Sequence, residues 1–223
     1  MDGDLFVIKD CTLLPIATGI SVQTLSGLRK ELADIDADSI YYHFWGYLLS
    51  PRFVEPEFMN DFAYWAFHAL HDKVLAERLS VIDPARFADM EGVRQKLLDV
   101  IDERLDELDV PPVASSENKF YFVKSQMVVF DTHRVIHKPE QLKDEINRFS
   151  NGSIFYHFVD ARRRQGRGVD DFRTWLLKWG TKYRDLCTMI ERIDPHFMTL
   201  PELRERLSKL FNEYFSGGEG KDG

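Results

Sequence analysis

The chain has 223 residues, 44% of them apolar, which is enough to build a sizeable core. Its formal net charge of -8 disfavours a nucleic-acid partner, because a nucleic-acid binder needs a basic face. No apolar run reaches the length of a membrane span, and the acidic start Met1–Asp4 lacks the basic and apolar segments of a signal peptide. With Cys11 and Cys187 as the only cysteines, the composition predicts a cytoplasmic protein without a disulfide framework and without a membrane partner.

Two windows of the chain match without a gap: Leu28–Phe44 reads LRKELADIDADSIYYHF and Leu142–Phe158 reads LKDEINRFSNGSIFYHF. Both end in the same Tyr-His-Phe. Further matches follow in the same order: NDFAYW with DDFRTW, Ile-Asp-Pro with Ile-Asp-Pro, and VRQKL with LRERL. Ordered matches across most of the chain predict a tandem duplication of one unit.

Each predicted repeat opens with a strand-like segment rich in β-branched and aromatic residues, Phe6–Ile16 in the first and Phe120–Phe130 in the second. A turn is predicted at Asp131–Arg134, directly after the second segment. A helix follows in each repeat. In the first, Thr24 is a suitable cap for a helix that carries Leu25, Leu28 and Leu32 on one face.

The next helix of each repeat carries the Tyr-His-Phe motif. Asn60 and Asp170 then precede Phe62 and Phe172 as N-caps, and a long apolar-striped helix closes each repeat. The predicted fold class is mainly α (α+β), with two tandem quasi-equivalent helical units that each have a short N-terminal strand pair. The predicted bounds are 1–110 for the first unit, 111–119 for a linker, 120–215 for the second unit and 216–223 for a disordered tail.

His43 and His157 occupy equivalent places on apolar helix faces, and Asp61 and Asp171 begin the helices that follow. A functional interpretation is a pair of sites where imidazole and carboxylate meet a ligand. The structural interpretation is that each histidine is a polar core residue, buried and hydrogen-bonded to its aspartate or to a backbone group. The structural interpretation is favoured, because a buried histidine is usually satisfied rather than catalytic.

A second cluster, His68, His71 and Asp72, has residue types that bind metals, and His43 could complete such a site. The alternative is a solvated helix surface. The second repeat has Lys178, Thr181 and Lys182 at the matching places, so the pattern predicts no metal and no cofactor.

Arg162, Arg163 and Arg164 form a basic cluster where the first repeat is apolar. Arginine clusters bind phosphate or carboxylate bidentately, and the alternative is a loop that balances nearby aspartates. We expect the principal pocket between the halves, near His43, His157 and this cluster, and we expect it to favour an anion.

The segments FVIKDCTLLPIATG, SIYYHFW, SQMVVFDT and GSIFYHFVDARRR resemble an uncharacterised bacterial and archaeal family known only as a domain of unknown function. The resemblance covers nearly the whole chain and brings no catalytic residue with it. It implies no established activity. Its association with neighbourhoods of glycosyltransferases and α-glucan enzymes points to an accessory role in sugar metabolism.

The sequence therefore predicts a non-enzymatic binding module whose partner is a protein or a small anionic ligand such as a sugar phosphate. The sequence is also compatible with a homo-oligomer. One alternative is an enzyme acting on a sugar or phosphate ester, with histidine and aspartate as acid–base groups and an arginine anion clamp. Another is a metal-dependent hydrolase built on His43, His71 and Asp72.

Overall fold

The structure, a computed structural model, describes residues 5–49, 57–164, 168–196 and 198–217. Helices dominate it, and strands β1 (Phe6–Val22) and β2 (Phe120–Ile136) form a two-stranded sheet. The predicted mainly helical α+β class is confirmed. Among the helices of the described residues, none combines the length and the apolar character that crossing a membrane requires.

The strands are longer than predicted, and the predicted pair in each unit is wrong, because β1 and β2 pair with each other. The Thr18 hydroxyl donates to the Phe122 carbonyl and the Thr132 hydroxyl donates to the Ile8 carbonyl, so the two strands run antiparallel.

The predicted turn at Asp131–Arg134 is also wrong, since β2 continues through it. His133 has a positive φ of 56°, and Gly19 has a φ of 79° in the other strand. The Thr132 and Thr18 hydroxyls each accept a hydrogen bond from the backbone two residues later, from Arg134 in β2 and Ile20 in β1. These turn-like residues satisfy the backbone locally while the strand continues, as they do in a β-bulge.

Contacts divide the chain into two compact units. The N-terminal unit is Leu13–Met127, and the C-terminal unit is Met1–Thr12 together with Val128–Gly223. These bounds differ from the predicted 1–110 and 120–215 because the first residues of each strand pack with the unit formed by the other repeat. The start of β1 packs with the C-terminal unit, and the start of β2 packs with the N-terminal unit.

The helices of the N-terminal unit are α1 (Leu25–Asp34), α2 (Ala37–Leu49), α3 (Asp61–His68), α4 (Lys73–Ser80) and α5 (Met90–Glu107). A short 3₁₀ turn, Pro84–Arg86, lies between α4 and α5. The side chains of Thr24 and Asn60 accept hydrogen bonds from the backbone of Gly27 and Ala63, as their positions as N-caps predict.

The C-terminal unit has α6 (Leu142–Glu145) between two 3₁₀ turns, Pro139–Gln141 and Ile146–Arg148. Its next helical segment is α7 (Asn151–Ile154), six π-helical residues Phe155–Asp160, and α8 (Ala161–Arg164). The remaining helices are α9 (Asp171–Leu177), α10 (Arg184–Glu191) and α11 (Leu200–Gly217). Helix α11 enters the predicted disordered tail by two residues, and 218–223 lie outside the described residues.

Candidate functional site

In the N-terminal unit, His43 joins three elements. It is carried by α2, and its side chain is 4% exposed. Its Nδ1 lies 2.9 Å from the Asp61 Oδ2 at the start of α3, and its Nε2 lies 3.1 Å from the Val123 backbone nitrogen in β2. The Phe120 ring stacks on the Phe62 ring and contacts the His43 imidazole from the strand side.

His157 makes the same set of contacts in the C-terminal unit. Its Nδ1 lies 2.8 Å from the Asp171 Oδ2, and its Nε2 lies 2.9 Å from the Lys9 backbone nitrogen in β1. The Phe6 ring stacks on the Phe172 ring and contacts this imidazole. The prediction that both histidines are buried and hydrogen-bonded is therefore confirmed.

These contacts fix the tautomer of both imidazoles. A backbone N–H can only donate, so the Nε2 of His43 accepts from Val123 and the Nε2 of His157 accepts from Lys9. The proton of each neutral ring is then on Nδ1, which donates to the aspartate. Because both nitrogens of both rings are engaged within the fold, neither is available to a substrate proton or to a metal ion.

The two aspartates differ in their surroundings. The Asp61 side chain is 41% exposed, whereas the Asp171 side chain is 15% exposed and also accepts a hydrogen bond of 3.0 Å from Arg164. Burial alone would raise the pKa of the Asp171 carboxyl. The hydrogen bond from His157 and the charge of Arg164 outweigh burial, so the pKa lies below its ordinary value.

The predicted arginine cluster is engaged within its own unit. Arg163 and Arg164 both pair with the buried Asp160, and the Arg164 guanidinium lies over the Tyr156 ring. The Arg162 guanidinium lies 4.3 Å from the centre of the Phe158 ring and donates to the Ile193 carbonyl. These interactions match the structural alternative, in which the cluster balances nearby aspartates.

The pKa of the Cys11 thiol, near Asp160, is raised to about 12. Burial is the largest cause, followed by the nearby carboxylates of Asp160 and Asp10. Its Sγ donates to the Gly152 carbonyl at 3.3 Å. A β-carbon on Gly152 would lie 2.2 Å from the Cys11 carbonyl oxygen, so the strand approaches α7 closely at this glycine. The thiol is therefore a protonated packing group at neutral pH.

The candidates for a metal site do not converge. His68 pairs with Glu57 at 2.9 Å, His71 is exposed with a positive φ, and Asp72 caps α4 and pairs with Arg104. Nowhere in the described part of the chain do three histidine, cysteine or acidic side chains form a group that could hold a metal ion.

A groove of about 430 Å³ lies in the C-terminal unit between the end of α10, the segment that follows it, and α11. Its apolar lining is Met189, Ile193, Met198 and Leu210. The Ile193 carbonyl is held by Arg162, and the buried His196 donates its backbone N–H to Asp194 at 2.9 Å. One wall of the groove is therefore fixed to the core.

Three cations, Arg192, Arg206 and Lys209, share this groove with two acids, Asp194 and Glu213. Lys209 and Glu213 are 4.0 Å apart and both are well exposed, so this ion pair is weak. Among the described residues, neither the Arg192 side chain nor the Arg206 side chain has a hydrogen-bond or ion-pair partner. The groove thus combines an apolar floor with two unpaired guanidinium groups, a common form of a small-ligand site.

The sequence did not single out these three cations, because Arg192 follows α10 directly whereas Arg206 and Lys209 lie in α11, more than a dozen residues later. A signal was present in the aligned repeats. Arg192 aligns with Val81, and Lys209 aligns with Asp99, so the charge changes at matching positions.

A second, more open concavity of about 420 Å³ is lined by polar residues from 137–144. Neither concavity is lined by His43, His157 or Arg162–Arg164. The expected pocket between the halves stays a prediction.

Comparison with known proteins gives a family and a structural neighbour. The model of a family of unknown function, DUF5752, matches residues 3–212. No curated protein sequence matches the chain significantly. The solved structure of OrfY from Thermoproteus tenax is similar, with a TM-score of 0.81 and 26% sequence identity over 94% of this chain and 95% of that one.

Proposed function

The chain belongs to the family of unknown function DUF5752, and we propose from its own geometry that it is a non-enzymatic module that binds a small anionic ligand. The observation that carries this proposal is the groove of the C-terminal unit, where two exposed, unpaired guanidinium groups face apolar side chains. A free guanidinium fork matches the oxygens of phosphate or carboxylate.

The histidines support binding rather than catalysis. A general base needs an accessible nitrogen within hydrogen-bonding distance of the proton that it abstracts. In His43 and His157 one nitrogen donates to an aspartate and the other accepts from a strand, so each ring joins two helices to β1 or β2.

The enzymatic alternative has a specific weakness. It requires the arginine cluster as an anion clamp, but Arg163 and Arg164 already neutralise Asp160, and Arg164 also neutralises Asp171. An anion would have to displace these carboxylates before it could bind.

Tandem duplication is part of the proposal. The aligned pairs His43/His157, Asp61/Asp171 and Val123/Lys9 make matching hydrogen bonds, as a duplicated unit would. Duplication maintains both cores while leaving one surface free to change. A cytoplasmic accessory role in carbohydrate metabolism, with a sugar phosphate as ligand, agrees with the charge of the groove.

A thermal-shift screen with sugars, phosphorylated sugars, nucleotides and divalent metals tests this function, because a ligand that binds only the native state raises the melting temperature. We expect phosphorylated compounds to raise it, uncharged sugars to leave it unchanged, and every bound compound to be recovered intact after prolonged incubation. Conversion of a bound compound would establish an enzyme instead, and a flat screen would exclude the small-ligand function.

A further inference from the structure

The proposed function leaves open which organic anion binds and which atoms recognise it. The groove beside α11 restricts both. Its two guanidinium groups come from different parts of the chain: Arg192 directly follows α10, and Arg206 lies within α11. Both side chains are exposed, and neither is committed to a partner among the described residues.

The floor of the groove is apolar. Ile193 and Leu210 are buried, while Met189 keeps 38% of its surface exposed. Methionine is unbranched and polarizable, so it adapts to ligands of different shape. A bare inorganic anion would leave this floor unused.

The aligned corner of the N-terminal unit has the opposite character. There Arg78 is paired with Glu107 at 2.8 Å, Val81 is exposed where Arg192 stands, and Asp99 stands where Lys209 does. Lys96, which aligns with Arg206, is exposed too, so a cation at that position is common to both units. The local features of the C-terminal groove are therefore Arg192 and Lys209, which have no cationic counterpart in the N-terminal unit.

We propose that this groove binds a phosphate monoester of a partly apolar organic body, with Arg192 and Arg206 on the phosphate and the body against Met189 and Leu210. The inference rests on the proposed function and adds the two guanidinium groups that hold the phosphate and the apolar side chains that contact the organic body. A sugar phosphate and a nucleoside monophosphate share this chemistry.

The groove can be tested without disturbing the core, because both arginines are exposed and unpaired. The full chain is titrated calorimetrically with glucose 6-phosphate, adenosine 5′-monophosphate, inorganic phosphate and glucose. The variants are Arg192→Ala/Arg206→Ala and Arg192→Lys/Arg206→Lys. The control is Lys96→Ala, an exposed cation that aligns with Arg206 in the N-terminal unit.

We expect at least one monoester to bind more tightly than inorganic phosphate, and glucose not to bind. The double alanine variant should weaken monoester binding by about ten-fold or more, because each guanidinium can make charge-assisted bidentate hydrogen bonds to a phosphate. The double lysine variant should lose about half of that effect on a logarithmic scale, since lysine keeps the charge and loses the fork. Lys96→Ala should bind as the wild type does. The tighter of the two monoesters identifies the organic body.

Monoester binding that is unchanged in the double alanine variant would overturn the groove as the site while leaving the proposed function intact. Inorganic phosphate binding as tightly as both monoesters would overturn the role of the apolar floor. If the wild type binds none of these phosphates, the inference fails, and the small-ligand function is then decided by the thermal-shift screen.

Discussion

The two units place the same polar cluster in their cores and different side chains at one surface corner. In both cores an imidazole joins an aspartate at a helix start to a strand N–H. At the α4–α5 corner of the N-terminal unit, Arg78 forms ion pairs with Glu103 and Glu107. At the α10–α11 corner of the C-terminal unit, the side chains of Arg192 and Arg206 form no ion pair among the described residues. The shared core fits a role in folding, and the divergent corner fits a role in recognition.

The largest effect should come from removing a core imidazole. His43→Ala and His157→Ala each remove a buried imidazole, leave a part-buried strand N–H without its acceptor and take one hydrogen bond from an aspartate. We therefore expect each to lower the free energy of unfolding by about 1–3 kcal/mol. Chemical denaturation measures this, with His137→Ala on the exposed surface as the control. A loss in only one of the two units would break the comparison between the cores.

The pH dependence of stability should report on Asp171. The pKa of Asp171 is depressed below 3.8 in the folded state, so the ionised carboxylate stabilises the protein above that pH and this contribution is lost as the pH falls through the folded pKa. Asp171→Asn should therefore be less stable than wild type at neutral pH, and the difference in stability should shrink as the pH falls below 3.8. A difference that is constant with pH would contradict the assigned hydrogen bond from His157 and the ion pair with Arg164.

Arg164 should matter less than His157, because its side chain is 37% exposed and water screens its charge. Arg164→Ala removes contacts to Asp160 and Asp171, and we expect a loss of about 1 kcal/mol. If the cluster were instead the anion site, the same variant would lose ligand affinity while its stability stayed unchanged. Calorimetry and denaturation of one preparation separate these outcomes.

The smallest effect, on monoester affinity, should come from replacing a cation beside the groove with the acidic residue found at the aligned position of the N-terminal unit. Lys209→Asp copies the residue at the aligned position Asp99 and places a further carboxylate beside the groove. Monoester affinity should fall by about three-fold, and the fall should diminish at high salt because exposed charges are screened. Asp99→Lys is the matched variant, and it should leave affinity unchanged.

The sequence predicted what local chemistry determines. Thr24, Asn60 and Asp170 cap helices as their residue types indicate, and the apolar spacing around His43 and His157 indicated burial. The sequence did not predict that the start of each strand packs with the other unit. Pairing between β1 and β2 depends on contacts between residues far apart in sequence, which local patterns do not reveal. The turn-like residues at 131–134 lie within a continuing strand, where the Thr132 hydroxyl accepts a hydrogen bond from the Arg134 backbone, so their identity alone did not decide the end of β2.

The candidate site was predicted less well for a related reason. Arg162–Arg164 are conspicuous as neighbours in the sequence, but helical geometry brings Asp160 within reach of two of them. Arg192 and Arg206 are separated along the chain and meet only through the packing of α10, α11 and the segment between them. The arginines that are adjacent in sequence therefore drew attention, although the fold pairs two of them with Asp160.

The affinity of the His157→Ala variant for glucose 6-phosphate tests the division between a structural core and a binding corner most directly. It is measured below the lowered melting temperature of the variant, with the native circular dichroism spectrum as a check on folding. We predict a dissociation constant within about two-fold of the wild-type value, because the imidazole does not line the groove. A loss of about ten-fold or more in the folded variant would contradict this division and place His157 in the binding site.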